Sequence, residues 1–139
     1  MTSTKIDLNC SKIARIRDLD ELAAVLFPGN KSHQKTFLAI FVELKWSDGQ
    51  FLRALEPVGI KHGITPRTME TVRAKMRRLG FIDHVSRFNK RYGYREGWVF
   101  SNRFDSALYR LAETAGLLRE QRSPLQERKD RDALKYLPN

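Results

Sequence analysis

Apolar residues recur at helical spacing along the chain, and the breaks between these runs fall at proline and glycine. Asp18 followed by Glu21 has the form of a capping box before a first apolar run, which Pro28-Gly29 ends. Apolar positions three and four residues apart predict a second helix from about Ser32 to Trp46. Its apolar face is broad, so we expect this helix to lie at the centre of the core.

The segment from Pro57 to Leu79 predicts a helix, a tight turn and a second helix. Gly63 is suited to the positive φ that ends a helix, and Thr65-Pro66 is typical of an N-cap followed by the first helical residue. The apolar residues of the second helix, about 65–79, form one narrow stripe of Met69, Val72, Met76 and Leu79. The opposite face is therefore polar and mostly cationic.

The sequence after Gly80 changes from helical spacing to aromatic and β-branched residues. These predict a β-hairpin with strands at 81–85 and 94–100 and a basic tip at 89–93. A further helix follows to about residue 118, and residues 127–136 predict a short mixed-charge helix supported by Glu127 with Arg131. The predicted class is mainly α with a small β-hairpin.

Length and composition favour one folded domain. The chain has 139 residues, of which 41% are hydrophobic and 30% charged, as in globular proteins. We expect a flexible N-terminus at 1–10, a single domain at 11–120 and a C-terminal arm or tail at 121–139. The apolar run from Phe37 to Val42 is far shorter than the roughly 20 residues of a membrane span. The first residues are polar, unlike a secretory signal, so a cytoplasmic protein is expected.

The residues that usually carry catalysis or bind metals are sparse. Cys10 is the single cysteine, which excludes an internal disulfide and a cysteine-based zinc site. His33, His62 and His84 are far apart, with no Asp, Glu or Cys at ligand spacing. No nucleophile elbow or glycine-rich phosphate loop is present. We therefore expect no metal, no cofactor and no enzymatic activity.

Positive charge is concentrated in one segment of the chain. The whole sequence has 26 basic and 16 acidic residues, a net charge of +10. Residues 61–95 contain ten of the basic residues but only two acidic ones, Glu70 and Asp83. Such a concentration favours a polyanionic partner, either nucleic acid or an anionic membrane surface. A merely solubilising surface would intersperse both signs of charge.

The helix at 65–79 has the features of a helix that reads DNA. Such a helix must be narrow, cationic outside and apolar inside, because the major groove is only about 12 Å wide. Its first turns face the base edges, which favours Arg67, Thr68 and Thr71 for readout, with Arg78 further along the same face. Contacts with phosphate are predicted for Arg73, Lys75 and Arg77. Contacts of the hairpin with the backbone or minor groove are predicted for Arg87, Lys90, Arg91, Tyr92 and Arg95.

The order of these parts over residues 50–120 resembles the winged helix-turn-helix superfamily of DNA-binding proteins. The resemblance rests on Gly63-Ile64-Thr65-Pro66-Arg67-Thr68, on Arg78-Leu79-Gly80-Phe81-Ile82 and on the basic hairpin. It implies a winged helix-turn-helix with extra N- and C-terminal helices. The flanking helices look like those of small bacterial regulators of the multiple-antibiotic-resistance (MarR) type, which form homodimers through their terminal helices. The Asp-Arg pair usual in their wing is replaced here by Asn89-Lys90-Arg91.

The favoured function is sequence-specific double-stranded DNA binding by a dimeric transcriptional regulator. A plasmid or phage replication initiator would share the same features. A winged-helix module that binds protein or RNA through its basic face is the alternative from another class. The ratio of affinities for duplex DNA and RNA at fixed salt distinguishes these functions.

Overall fold

A computed structural model describes residues 3–137, which contain seven α-helices and a small three-stranded antiparallel sheet. The predicted mainly α class with a β-hairpin is confirmed. In chain order the elements are α1 (Cys10–Ala14), α2 (Leu19–Leu26), α3 (Lys31–Lys45), β1 (Phe51–Leu52), α4 (Glu56–His62), α5 (Pro66–Leu79), β2 (Ile82–Val85), β3 (Gly97–Phe100), α6 (Arg103–Leu118) and α7 (Pro124–Tyr136).

Local chemistry sets the ends of the helices as predicted. The Asp18 side chain accepts a hydrogen bond from the Glu21 amide at the start of α2. The Thr65 hydroxyl accepts one from the Thr68 amide at the start of α5. Gly63 ends α4 and Gly80 ends α5, both in the left-handed conformation. These caps fix the length and position of α5.

The sheet has the order β1-β3-β2 with antiparallel pairs. Strands β2 and β3 form the predicted hairpin, in register from Ile82 opposite Phe100 to Val85 opposite Gly97. The second strand begins at Gly97 rather than at residue 94, because Tyr94 has φ 59° and leaves the extended conformation. Strand β1, which was not predicted, pairs with the other edge of β3 through Phe51 opposite Val99.

Helix α3 lies at the centre of the core, as its broad apolar face predicts. Phe37 and Ile40 on this helix are fully buried and pack in one cluster with Leu26 of α2, Met76 of α5 and Ile82 of β2. The cluster thus holds one side of α5 against the body of the protein.

Lys75 of α5 is a buried cationic residue, with only 8% of its surface exposed. Its ammonium donates to the Lys5 carbonyl oxygen at 2.7 Å and to the Leu26 carbonyl oxygen, and lies 4.4 Å from the centre of the Phe27 ring. Burial lowers the pKa of this ammonium below its ordinary value. The bonds tie the N-terminal segment and the end of α2 to α5.

The N-terminal segment, predicted to be flexible, is bonded to the body at two described residues. Besides the bond from Lys75 to Lys5, the Asp7 amide donates to the Val25 carbonyl oxygen at 2.8 Å. Residues 1–2 of this predicted segment lie outside the described residues.

Backbone proximity divides the chain into one unit that ends at Phe104 and a second that starts at Asp105. The division falls inside α6, upstream of the boundary predicted at residue 120. The second unit contains α7, where Arg131 Nε lies 3.3 Å from Glu127 Oε2 as predicted. No residue of α6 or α7 is buried. Residues 138–139 of the predicted arm lie outside the described residues.

None of the helices in the described part of the chain is both long and apolar enough to cross a membrane.

We predict that Lys75→Met lowers the free energy of unfolding by about 1 to 3 kcal/mol, because the two carbonyl oxygens lose a buried charged donor. Lys90→Met, at an exposed position, is the matched control and should change stability little. Denaturant unfolding of both variants measures the difference. Equal stability of the two would show that the buried ammonium contributes nothing.

Two glycines with positive φ allow the destabilisation caused by a steric clash to be distinguished from that caused by backbone strain. At Gly63 (φ 67°) an added Cβ meets open space, whereas at Gly80 (φ 84°) it would lie 2.8 Å from Arg103 Cβ. Gly63→Ala should therefore lose about 1 to 2 kcal/mol from strain alone, and Gly80→Ala should lose more. Thermal unfolding tests the ranking, which an equal loss in both variants would contradict.

Candidate nucleic-acid interface

Helix α5 turns one side to the core and the other to solvent. Met69, Val72 and Met76 are buried on the inner side. The outer side is exposed and mostly cationic, and carries Arg67, Glu70, Thr71, Arg77 and Arg78. Arg73 and Ala74 are half-buried beside it. The predicted division between an apolar stripe and a cationic face is thus present on the folded helix.

The arginines of this face are not neutralised by neighbouring acids. Among the described residues, no carboxylate lies within 4.0 Å of a guanidinium nitrogen of Arg67, Arg73, Arg77 or Arg78. Like charges held close together on one helix create a local positive potential that attracts an anionic partner.

Two other cations of the basic segment are neutralised or turned inward. Lys61 Nζ lies 3.1 Å from Glu43 Oε1, and the bond from Lys61 lowers the pKa of the Glu43 carboxyl. Lys75 was predicted to contact phosphate, and this prediction is wrong because its ammonium is buried and bonded to backbone carbonyl groups. Fewer cations of the basic segment are therefore free to contact a partner than the sequence suggests.

The two threonines predicted to read bases differ in their surroundings. Thr68 is half-buried, and its hydroxyl lies 3.0 Å from the Thr65 hydroxyl within the N-cap. Thr71 is exposed, and its hydroxyl donates to the Arg67 carbonyl oxygen at 3.0 Å. Thr71 is therefore the more exposed of the two threonines.

A cleft of about 560 Å³ borders the outer side of α5. Its lining combines cations, one acid and aromatic rings: Glu70, Arg73, Ala74, Arg77, Arg78, His84 and Trp98. The Arg73 guanidinium lies 5.5 Å from the centre of the Trp98 ring. His84 and Trp98 are opposite each other on β2 and β3. The cleft therefore joins the α5 arginines to the base of the hairpin.

The segment between β2 and β3, residues 86–96, is called the wing loop here. Its basic residues, Arg87, Lys90, Arg91 and Arg95, are exposed and lie beyond 4.0 Å from every carboxylate of the described chain. Tyr92 is half-buried and packs on a small cluster of Phe51, Val85 and Val99. The Tyr92 ring, predicted as a DNA contact, is thus used to attach the wing loop to the sheet.

Four residues near this surface are not among the DNA contacts predicted from the sequence. Glu70 is the one acid on the outer side of the described helix α5. Its position among the basic residues of this helix was visible in the sequence. Phe88, an aromatic residue between Arg87 and Asn89, was equally visible. His84 and Trp98 meet only through the strand register, with ring centres 4.9 Å apart. That register is not readable from spacing alone.

Within residues 3–137, no group of three His, Cys, Asp or Glu side chains is placed to hold a metal ion.

Comparisons with known proteins found no family model, no curated protein and no solved structure that matches this chain. The function is therefore inferred from the geometry and charge of the surface itself.

Proposed function

We propose that this protein binds double-stranded DNA in a sequence-specific manner as a transcriptional regulator and has no enzymatic activity. The observation that carries the proposal is the outer side of α5, where exposed arginines have no acidic partner among the described residues and the helix is held by the core. A single helix of this kind fits a groove about 12 Å wide. An arginine at its surface can donate two hydrogen bonds to O6 and N7 of guanine.

The order of the elements supports a winged helix-turn-helix interpretation. Helix α4, the turn at Gly63 and helix α5 are followed by the β2–β3 hairpin, and β1 completes the sheet on the other edge of β3. In such an arrangement the second helix enters the major groove, and the hairpin contacts the DNA beside it.

Each part of the surface has a distinct role in this proposal. Arg67 in the first turn of α5 and Thr71 one turn later face the bases, with Arg78 on the same side. Arg73 and Arg77 bind phosphates beside the groove. Glu70 accepts a hydrogen bond from the N4 amino group of cytosine, the base-edge partner that suits a carboxylate.

The wing loop supplies affinity that does not depend on sequence. Its four cations, Arg87, Lys90, Arg91 and Arg95, contact phosphates and release bound counterions. Binding should therefore weaken steeply as salt rises.

We further propose that two copies pair through their C-terminal helices. None of the residues of α6 or α7 is buried, and Leu111, Leu118, Leu125 and Leu134 are exposed. In proteins, most of the stability of a helix comes from packing of its apolar face. A symmetric pair would place two α5 helices on the half-sites of a palindrome.

Selection of bound fragments from the source genome tests the function at about 0.15 M salt with excess competitor DNA. Enrichment of a palindromic motif would support a dimeric regulator. Enrichment of one origin-like cluster of repeats would favour a replication initiator instead. A parallel selection with RNA tests the remaining alternative, and stronger retention of RNA than of duplex DNA would refute the proposal.

We predict different effects for an α5 arginine and a wing-loop lysine. Arg67→Ala should lose about 1 to 3 kcal/mol on the selected site and little on other sequences. Lys90→Ala should weaken all sequences alike and reduce the slope of log affinity against log salt by about one. Salt titrations with specific and random duplexes measure both. If Arg67→Ala keeps full specificity, α5 does not read bases.

The pairing of α6 gives a separate prediction. Leu111→Glu should convert a dimer to a monomer, because a carboxylate would be buried in the apolar contact. Ser106→Glu adds the same charge on the opposite side of α6, at about 100° per residue, and is the control. Sedimentation equilibrium gives the masses. A parent that is monomeric at micromolar concentration would refute pairing through this face.

A further inference from the structure

The wing loop exposes two aromatic rings on a basic surface. Phe88 is 77% exposed and Tyr94 is 60% exposed. Tyr92 in the same loop packs against the sheet instead, with its ring centre 6.4 Å from that of Phe51. The loop therefore has an inner aromatic residue that holds it and two outer ones that make no such contact.

The conformation of the loop is held by internal bonds. The Asn89 side chain accepts a hydrogen bond from the Arg91 amide at 3.0 Å, and the Asn89 carbonyl oxygen accepts one from the Tyr94 amide at 3.1 Å. The Arg95 guanidinium lies 4.3 Å from the centre of the Phe51 ring. Tyr94 has φ 59°, which a residue with a bulky side chain seldom adopts. The outward position of Tyr94 is thus imposed by the closed turn around it.

Cations lie over two of the rings of the wing loop. Arg87 lies over the Phe88 ring at 5.1 Å from its centre, and Arg91 lies over Tyr92 at 5.6 Å. None of the loop's cations is paired with a carboxylate of the described chain. Surfaces that alternate exposed rings with unpaired cations bind nucleic-acid strands, because the bases stack on the rings and the phosphates meet the cations.

We propose that the wing loop binds bases that have left the double-helical stack. Phe88 and Tyr94 stack on one or two such bases, while Arg87, Lys90 and Arg91 bind the phosphates of the same strand. This inference rests on the proposed function, because α5 must hold the neighbouring duplex. An intact step must first be unstacked at a cost in free energy, whereas a mismatched or unpaired base is already free. The protein should therefore prefer duplexes with an unpaired base beside the α5 site.

Binding of the full-length chain to two sets of labelled DNA tests the inference. One set is the fully paired duplex selected for the parent, and the other carries a single unpaired base at successive positions on either side of the α5 site. Replacement of that base by 2-aminopurine reports stacking through its fluorescence. The parent should bind the best-placed unpaired probe about tenfold more tightly than the paired duplex at the same salt.

Variants separate stacking from charge. Phe88→Ala with Tyr94→Ala should abolish the preference and the change in 2-aminopurine fluorescence, while the salt dependence stays unchanged because no charge is lost. Lys90→Ala should keep the preference and reduce the salt slope. Tyr109→Ala, which removes an exposed ring of α6, is the control and should behave as the parent. Circular dichroism confirms that each variant is folded.

The outcomes distinguish this inference from the proposed function. Equal binding of paired and unpaired probes by the parent, or a preserved preference in the double variant, would overturn the stacking role and leave duplex recognition intact. A parent that binds neither DNA probe would overturn both. Tighter binding of a single-stranded RNA of the same sequence would overturn the assignment to DNA.

Discussion

The buried ammonium of Lys75 joins three parts of the chain through its hydrogen bonds and its contact with an aromatic ring. It bonds to carbonyl oxygens 70 and 49 residues away, at Lys5 and Leu26, and lies over the Phe27 ring. These bonds hold one flank of helix α5 against the N-terminal segment and the end of α2. The apolar stripe of Met69, Val72 and Met76 fixes the inner side, and Lys75 fixes one flank. Because the inner side and one flank of α5 are both fixed, the orientation of its outer side is fixed too.

The sequence predicted best what short-range chemistry decides. The N-cap at Thr65 and the left-handed Gly80 bracket α5, because both depend on residues a few positions apart. Strand β1 could not be predicted, since two residues have no readable alternation and the strand exists only by pairing with β3. The start of β3 depends on the conformation of Tyr94, which is set by its bond to Asn89.

In the candidate site, too, local features could be predicted from the sequence and features set by distant contacts could not. Helical periodicity placed Arg67, Arg77 and Arg78 on one face, and the folded helix exposes all three. Periodicity also placed Lys75 at the edge of that face. Lys75 is buried because segments distant in the sequence cover this flank of the helix. A local sequence pattern contains no information about such segments. The cleft with His84 and Trp98 likewise required the strand register.

The basic side chains fall into two groups, those paired with a carboxylate and those without such a partner among the described residues. Arg103 bonds to the Asp83 carboxylate and donates to the Arg77 carbonyl oxygen at 3.2 Å, which joins β2 to the end of α5. Lys61 pairs with Glu43 in the same way. These paired cations belong to the scaffold. Because Asp83 is taken by Arg103, Glu70 is left as the acid that faces solvent among the arginines of α5. The position of the acidic residues, more than the total of the basic ones, therefore determines where unpaired positive charge remains on the described surface.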